Sequence, residues 1–305
     1  MPKFRLLDKL IDIRTSWMSI RKYHIGLTQW GFKDWVGNFF SSDAKPDQFL
    51  DQYSSVFNAV EGNTTFYRIP TPDNIQKWSS QVPSDFKFCF KFPKEITHHK
   101  ELKNVTTEVL SFLDLFKPIR TNLGPFHIQL GPNFSYEQMG NLEKLIEVLP
   151  AHLSFAVEVR HHDFFDKGKK ERHLNDVLSS YGVNRVVFDT RRLHEIKSDD
   201  PSILKAKKKK PVTPVRFDST GANPFIRYVG GNEVIQNESH LKEWAIIIAN
   251  WIRDGKHPYM FIHSPDTLHA PTLARFFHHE LSNLTELNPL PDWPVDRIDK
   301  QLGLF

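Results

Sequence analysis

The stretch FAVEVRHHDFF, residues 155–165, opens as a strand and ends as something else. Phe155, Val157 and Val159 alternate with Ala156, Glu158 and Arg160, the period of two that puts successive side chains on opposite faces. Two histidines follow at once. One face is built for burial against other elements; the other carries a carboxylate and a guanidinium. A closed sheet resolves the conflict, because its outer face packs on helices while its inner face lines a lumen.

Working outward, seven more segments of this kind recur: YHIGL (23–27), FNAVEGN (57–63), FKFCFKF (86–92), PFHIQL (125–130), RVVFD (185–189), FIRYV (225–229) and YMFIH (259–263). Helical patterns lie between them at 46–56, 105–119, 137–149, 171–181 and 239–254. The last, SHLKEWAIIIANWIRDG, offers Ser239 as its N-cap and stops at Gly255. Strands alternating with helices predict a parallel sheet. In 305 residues the economical form is a single-domain α/β protein, a TIM-like (β/α)8 parallel barrel. An open doubly wound sheet is the alternative, but GLTQWGF after the first strand is not the G-x-G-x-x-G of a dinucleotide fold.

The barrel is assigned to residues 23–285. Residues 1–22 form an N-terminal extension, where Leu7, Leu10 and Ile11 have the spacing of a short amphipathic helix. Residues 191–224, polar and basic with Pro211 and Pro214, are expected as a flexible excursion between strands six and seven. Residues 286–305 form a Pro-rich tail expected to wrap the surface.

No apolar run approaches the roughly 18 residues of a membrane span. Asp8, Lys9, Asp12 and Arg14 interrupt the first apolar residues, so a signal-peptide core is not expected. Cys89 is the sole cysteine, which rules out an intramolecular disulfide and fits a cytoplasmic location. The net charge is +4, and much of that excess sits in KAKKKK (205–210).

With the bulky apolar set facing the helices, the lumen receives Ala59 and Glu61, Cys89 and Lys91, His127 and Gln129, then Ala156, Glu158 and Arg160. It further receives Val187 and Asp189, Arg227 and Val229, and Phe261 and His263. The polar members gather at the C-terminal ends of the strands, where barrel enzymes build their sites. Glu61, Glu158 and Asp189 against Lys91, Arg160 and Arg227 would also make a structural ion network. Buried pairs rarely out-stabilise apolar packing, however, so the gathering favours use.

Several segments together resemble the YecE-like family, domain of unknown function 72. They are YHIGLTQWGFKDWVGNFF, YSSVFNAVEGNTTFYRIPTPDNIQKW, VPSDFKFCFKFPKEITH, LGPFHIQLGPNF and VEVRHHDFF. With weaker matches further on, the resemblance covers about residues 23–281. It implies a TIM-like barrel and no established reaction. Carried over by motif, it points to Trp30, Glu61, Asn63, Thr65, Tyr67, Lys91, His98, Gln129, Glu158, Arg160 and His161. The chain departs from the family pattern late: Val229 stands where a histidine is usual, and His263 ends a strand that usually continues as Phe-Asn-Asn.

This mixture of groups fits a small anionic, phosphorylated or carboxylated, substrate. Arg160 and Arg227 offer planar forks and Lys91 a point charge. Glu61, Asn63, Tyr67, Trp30, Gln129, Asp189 and His263 complete the expected binding set. Glu158, with His161 or His98, is the expected proton-transfer group in a hydrolase-like reaction, Glu158 alternatively serving to hold Arg160. Trp30, Trp35, Phe66 and Tyr67 could stack on a ring or pack beneath loops.

A divalent metal held by Glu61, Glu158, Asp189, His161 and His263, as in a barrel hydrolase or isomerase, is a second reading. The three bases in the same layer oppose it, and no H-E-x-x-H or H-x-H spacing supports it. Nucleic-acid binding through 205–210, without catalysis, is a third and less favoured one, since no reading helix, RNP motif or zinc spacing accompanies the run.

Overall fold

A computed structural model describes residues 23–297, so the helix expected within 1–22 and the end of the tail lie outside the described residues. Eight strands are present: β1 (His24–Leu27), β2 (Ala59–Gly62), β3 (Lys87–Phe90), β4 (Phe126–Gln129), β5 (Phe155–Glu158), β6 (Asn184–Asp189), β7 (Phe225–Val229) and β8 (Tyr259–His263). Each falls inside, or within one residue of, a segment read from alternation. Parallel ladders join them in the order β3-β2-β1-β8-β7-β6-β5-β4. The two ends meet through isolated bridges, Phe88 with Leu123 and Lys91 with His127. Gly124 N donates to Phe88 O and Phe92 N to His127 O, both at 2.9 Å. The ring thus closes into a (β/α)8 barrel with a thin seam between β3 and β4.

All five expected helical stretches contain helices, at Phe49–Ser54, Thr106–Asp114, Met139–Val148, Lys169–Ser180 and Val234–Arg253, the first three shorter than expected and the last two starting earlier. The last starts five residues before Ser239. Glu233 caps it, and Gln236 reaches back to Glu233 N at 3.2 Å in a capping box. Three further helices carry a proline in the first turn, and two of these are capped by side chains. Thr71 caps Pro72–Ser80, and Asp200 caps Pro201–Lys209 by accepting from Ser202 N at 2.7 Å. The expected excursion therefore carries helices at Arg191–Glu195 and Pro201–Lys209, and a fourth unexpected helix spans Ala270–Ser282.

Phe155, Val157 and Val159 join the large apolar layer between strands and helices, as their alternation requires. Inside the ring Ala59, Cys89, Ala156, Val186, Phe225, Tyr259 and Phe261 form a separate apolar plug. It fills the lower lumen with side chains, as in other barrels of this strand number, and burial there pushes the Cys89 thiol up. At the tail, Trp293 packs 5.1 Å from Phe39, and the Arg275 guanidinium lies 3.5 Å over its ring.

The β1–β2 junction is held by a side chain. Tyr53 Oη accepts from Leu27 N at 2.7 Å and donates to Ala59 O at 2.8 Å. Gly26 makes room, since a β-carbon there would lie 1.9 Å from Ala59 O. Tyr53→Phe leaves a buried donor and a buried acceptor without that oxygen, at about 1–3 kcal/mol for each. Urea unfolding should show a lower midpoint at unchanged slope.

Candidate active site at the mouth of the barrel

Above the plug, the lumen is spanned by charge. Arg227, from β7, places its guanidinium between a carboxylate of β2 and one of β5. Its Nε and Nη2 lie 3.0 and 2.8 Å from the two oxygens of Glu61, and Nη1 donates to Glu158 Oε2 at 2.7 Å. Glu61 and Glu158 are fully buried and Arg227 nearly so. Two histidines complete this level. His127 Nε2 is 3.1 Å from Glu158 Oε2, with Nδ1 3.8 Å from Glu61 Oε1, and His263 Nε2 is 3.3 Å from Glu61 Oε2.

The electrostatics follow from this packing. Burial alone would raise both carboxyls, but Arg227 holds each well below the usual range, helped at Glu61 by His263 and at Glu158 by Arg160 and His127. Burial lowers His127 to about 4 and His263 to about 3 despite the carboxylates beside them. Both imidazoles are therefore neutral at physiological pH, and His127 can donate its Nε2–H to Glu158.

A second level lies toward the strand ends. Gln129 Oε1 accepts from Lys91 Nζ at 2.6 Å and from Arg160 Nη2 at 2.8 Å, while Arg160 Nε donates to Glu158 Oε1 at 2.8 Å. Lys91 Nζ sits 4.2 Å over the Phe66 ring, and His98 packs edge-on to the same ring. Gln129 Nε2 is 3.5 Å from His98 Nε2, whose other nitrogen meets Thr97 Oγ1 at 2.9 Å. Thr65 Oγ1 lies 2.6 Å from Lys91 O and fixes the end of β3 to the preceding loop. Burial and the neighbouring cations Lys91 and Arg160 push His98 down to about 4.

The lumen-facing residues read from periodicity, Glu61, Lys91, Gln129, Glu158, Arg160, Arg227 and His263, thus come together, and His98, read from the resemblance, lies at the edge. On β6 it chose the wrong face. Asp189 turns into the helix layer, where Arg191 binds both its oxygens and Trp244 Nε1 donates to Oδ2 at 2.8 Å. Val187 goes with it into the outer core, and Phe188 takes the inner face. The reason is chemical: the Phe188 ring is a platform for cations, with Arg227 at 5.0, Arg160 at 5.5 and Lys210 at 6.0 Å from its centroid.

Four other residues expected at the site lie outside the buried charged cluster. Trp30 packs against Trp78 and Phe88 on the outer face. Asn63 donates to Thr28 O at 3.0 Å and braces two loops. Tyr67 is 81% exposed beside Phe66, outside the buried cluster. His161 accepts from Asp163 N at 3.3 Å and caps a short turn, its contacts running to Asp163 and His162 rather than to Glu158. Among the described residues His161, His162 and Asp163 place ligand atoms within 4.8 Å of one another, but Asp163 is already bound to Lys170 at 2.8 Å. Between Glu61 and Glu158, where a metal was considered, stands the Arg227 guanidinium.

The basic run does not present one charged face. Lys207 Nζ donates to Ile196 O, Lys205, Lys208 and Lys209 are exposed, and Lys210 turns to the mouth. There burial, then Arg227, pushes Lys210 down to about 8. Phe188 and Lys210 are the site residues missed, and His127, placed in the lumen from the sequence, was left out of the expected binding set. His127 carried a signal, since it shares the inner face with Gln129; Lys210 carried none.

Acid should weaken the fold through the two buried histidines. Their folded pKa values lie below the unfolded value of about 6.5, so the unfolded chain binds more protons between about pH 6.5 and 4. Stability therefore falls as pH drops through that window. Melting temperature against pH should have a shallower slope there in His263→Gln than in the unmodified chain.

Comparison with known proteins agrees with this architecture. The family described as "Protein of unknown function DUF72" matches residues 24–295. The UPF0759 protein YecE of Escherichia coli K12 is 36% identical over 272 residues, covering 89% of this chain and 97% of its own length. Among solved structures, a DUF72 family protein from Thermotoga maritima superposes with a TM-score of 0.67 at 26% identity, covering 85% of this chain and 99% of that one. One from Enterococcus faecalis gives a TM-score of 0.66 at 16% identity, covering 88% and 98%, a likeness of fold. With a barrel of that form and a family match from the first strand to the tail, the chain belongs to the DUF72 family.

Proposed function

We propose that the barrel mouth binds a small anionic molecule, carrying a carboxylate or a phosphate, and performs acid–base chemistry on it. One observation carries this reading: the mouth holds more cation than its own carboxylates neutralise. Arg227 is matched by Glu61 and Glu158, whereas Arg160, Lys91 and Lys210 share what remains of Glu158 and the neutral Gln129 oxygen. Lys91 is pushed down to about 7, first by burial and then by Arg227. Such unbalanced charge in a low-dielectric pocket favours an incoming anion.

In this reading Glu158 positions Arg160 and does not exchange protons. Its oxygens are taken by Arg227, His127 and Arg160, and it is ionised far below neutral pH. Proton transfer falls to Lys91, whose amine is partly neutral near pH 7, with His98 as a neutral acceptor beside it. A metal-dependent reaction finds less support, since Arg227 fills the place between the carboxylates. Binding of nucleic acid along 205–210 finds less still, because the run is divided.

Isothermal titration with inorganic phosphate at low salt tests the reading. The unmodified chain should bind, and Arg160→Ala should weaken binding by about 2 kcal/mol, roughly thirtyfold. Binding should also decline as pH rises through 7 and 8, where Lys91 and Lys210 lose their protons. Equal affinity in the variant, or no binding by either protein, overturns it.

A further inference from the structure

Lys91 differs from the two arginines of the mouth in what it lacks. Among the described residues no carboxylate oxygen comes within ion-pair distance, 4.0 Å, of its Nζ. Its polar contact is the neutral Gln129 oxygen, and its other neighbour is the face of Phe66. The residue is only 7% exposed and is tied at its backbone by Thr65. A lysine kept for charge would sit on a carboxylate; one kept apolar on one side, with a single acceptor to orient it, is set up as an amine.

Its distance from Arg160 is also bounded. Both donate to Gln129 Oε1, at 2.6 and 2.8 Å, so the two nitrogens can stand no farther apart than those two distances laid end to end. A carbonyl carbon and the carboxylate bonded to it can bridge that span, the carboxylate on the guanidinium and the carbon against the amine.

We propose that Lys91 is a carbonyl-reactive amine, condensing through Nζ with a short oxo-acid whose carboxylate is gripped by Arg160. This rests on the anion-binding reading above and names its substrate class. The Nζ lone pair forms a bond to the carbonyl carbon as the C=O π pair moves to oxygen. That oxygen takes up a proton released by nitrogen, giving the carbinolamine. The hydroxyl and the remaining nitrogen-bound proton then leave as water, so that R–NH2 + O=CR′2 becomes R–N=CR′2 + H2O with no oxidant or reductant consumed.

The groups facing Lys91 decide its protonation. Arg227 from β7 and Arg160 after β5 oppose the charged form, as burial does, while Glu158 and Glu61 favour it. His98 and His127 are held neutral. With an outcome of about 7, Lys91 is largely an amine at pH 7.5, whereas an exposed lysine near 10.4 is almost wholly protonated.

The test treats the full chain at pH 7.5 with glyoxylate and sodium cyanoborohydride, which reduces an imine to a stable secondary amine, and maps the modified peptides by mass spectrometry. The Lys91 peptide should be labelled at least about tenfold faster than peptides bearing exposed lysines such as Lys208 and Lys209. Propanal, an uncharged aldehyde, should label Lys91 more slowly than glyoxylate, and Arg160→Ala should remove that preference. Lys91→Arg keeps the charge and should lose the adduct, with circular dichroism checking that it folds. In the unmodified chain, saturating phosphate should protect Lys91.

Adducts confined to exposed lysines, with Lys91 untouched by either aldehyde, overturn the inference. If the unmodified chain nonetheless binds phosphate, the anion pocket stands and this inference alone is lost. If Lys91 reacts equally with both aldehydes and phosphate does not bind, the pocket falls, and the oxo-acid assignment with it.

Discussion

Three charges inside a barrel need one another. Arg227 could not be buried without Glu61 and Glu158, and neither carboxylate could stay ionised at that depth without Arg227. Everything nearer the mouth is hung from this strut. Glu158, fixed by Arg227 on one oxygen, uses the other to fix Arg160; Arg160 and Lys91 meet on Gln129; Gln129 reaches His98. Because each group is held by a neighbour that is itself held, the mouth is ordered before anything enters it, and ordering costs are not charged to binding. The strut also joins strands on different sides of the ring, so the charge layer braces the lumen that the apolar plug fills.

Most of this was legible because strands obey a simple period. Alternation located all eight strands and, on six of the seven whose faces it read, the face that looks inward. It failed on β6, where the rule that bulky apolar residues face the helices sent Phe188 outward and Asp189 inward. The rule ignores that an aromatic ring is a fit neighbour for cations, and that an acid can be buried among helices when Arg191 and Trp244 donate to it. Family resemblance had a different blind spot. It carried over Trp30, Asn63 and His161, which here pack, brace and cap near the strand ends without joining the ion cluster. Lys210 was illegible in principle, since only the folding of the 191–224 segment turns a lysine from a basic run back toward the axis.

The two lysines of the mouth illustrate how position, rather than residue type, sets behaviour. Lys208 and Lys209 face solvent one or two residues from Lys210, yet only Lys210 reaches the Phe188 platform. Lys87 opens β3 and Lys91, four residues on, directly follows its last residue. The first meets Thr121 O outside the cluster, and the second meets Gln129 within it. A charge count of the chain therefore says little about the mouth, where the excess of cation is local and made by topology.

The seam between β3 and β4 has a mechanical meaning. Lys91 and His127 form one of the two bridges that close the ring there, and Lys91 also carries the amine that looks onto the mouth. Arg160 follows the end of the next strand but one. A molecule grasped by Lys91 and Arg160 together would clasp β3 to β5 across β4, stitching the barrel at its least-bonded joint from within. Occupancy and ring closure would then be one linked equilibrium, with the guest acting as the missing rung of the sheet.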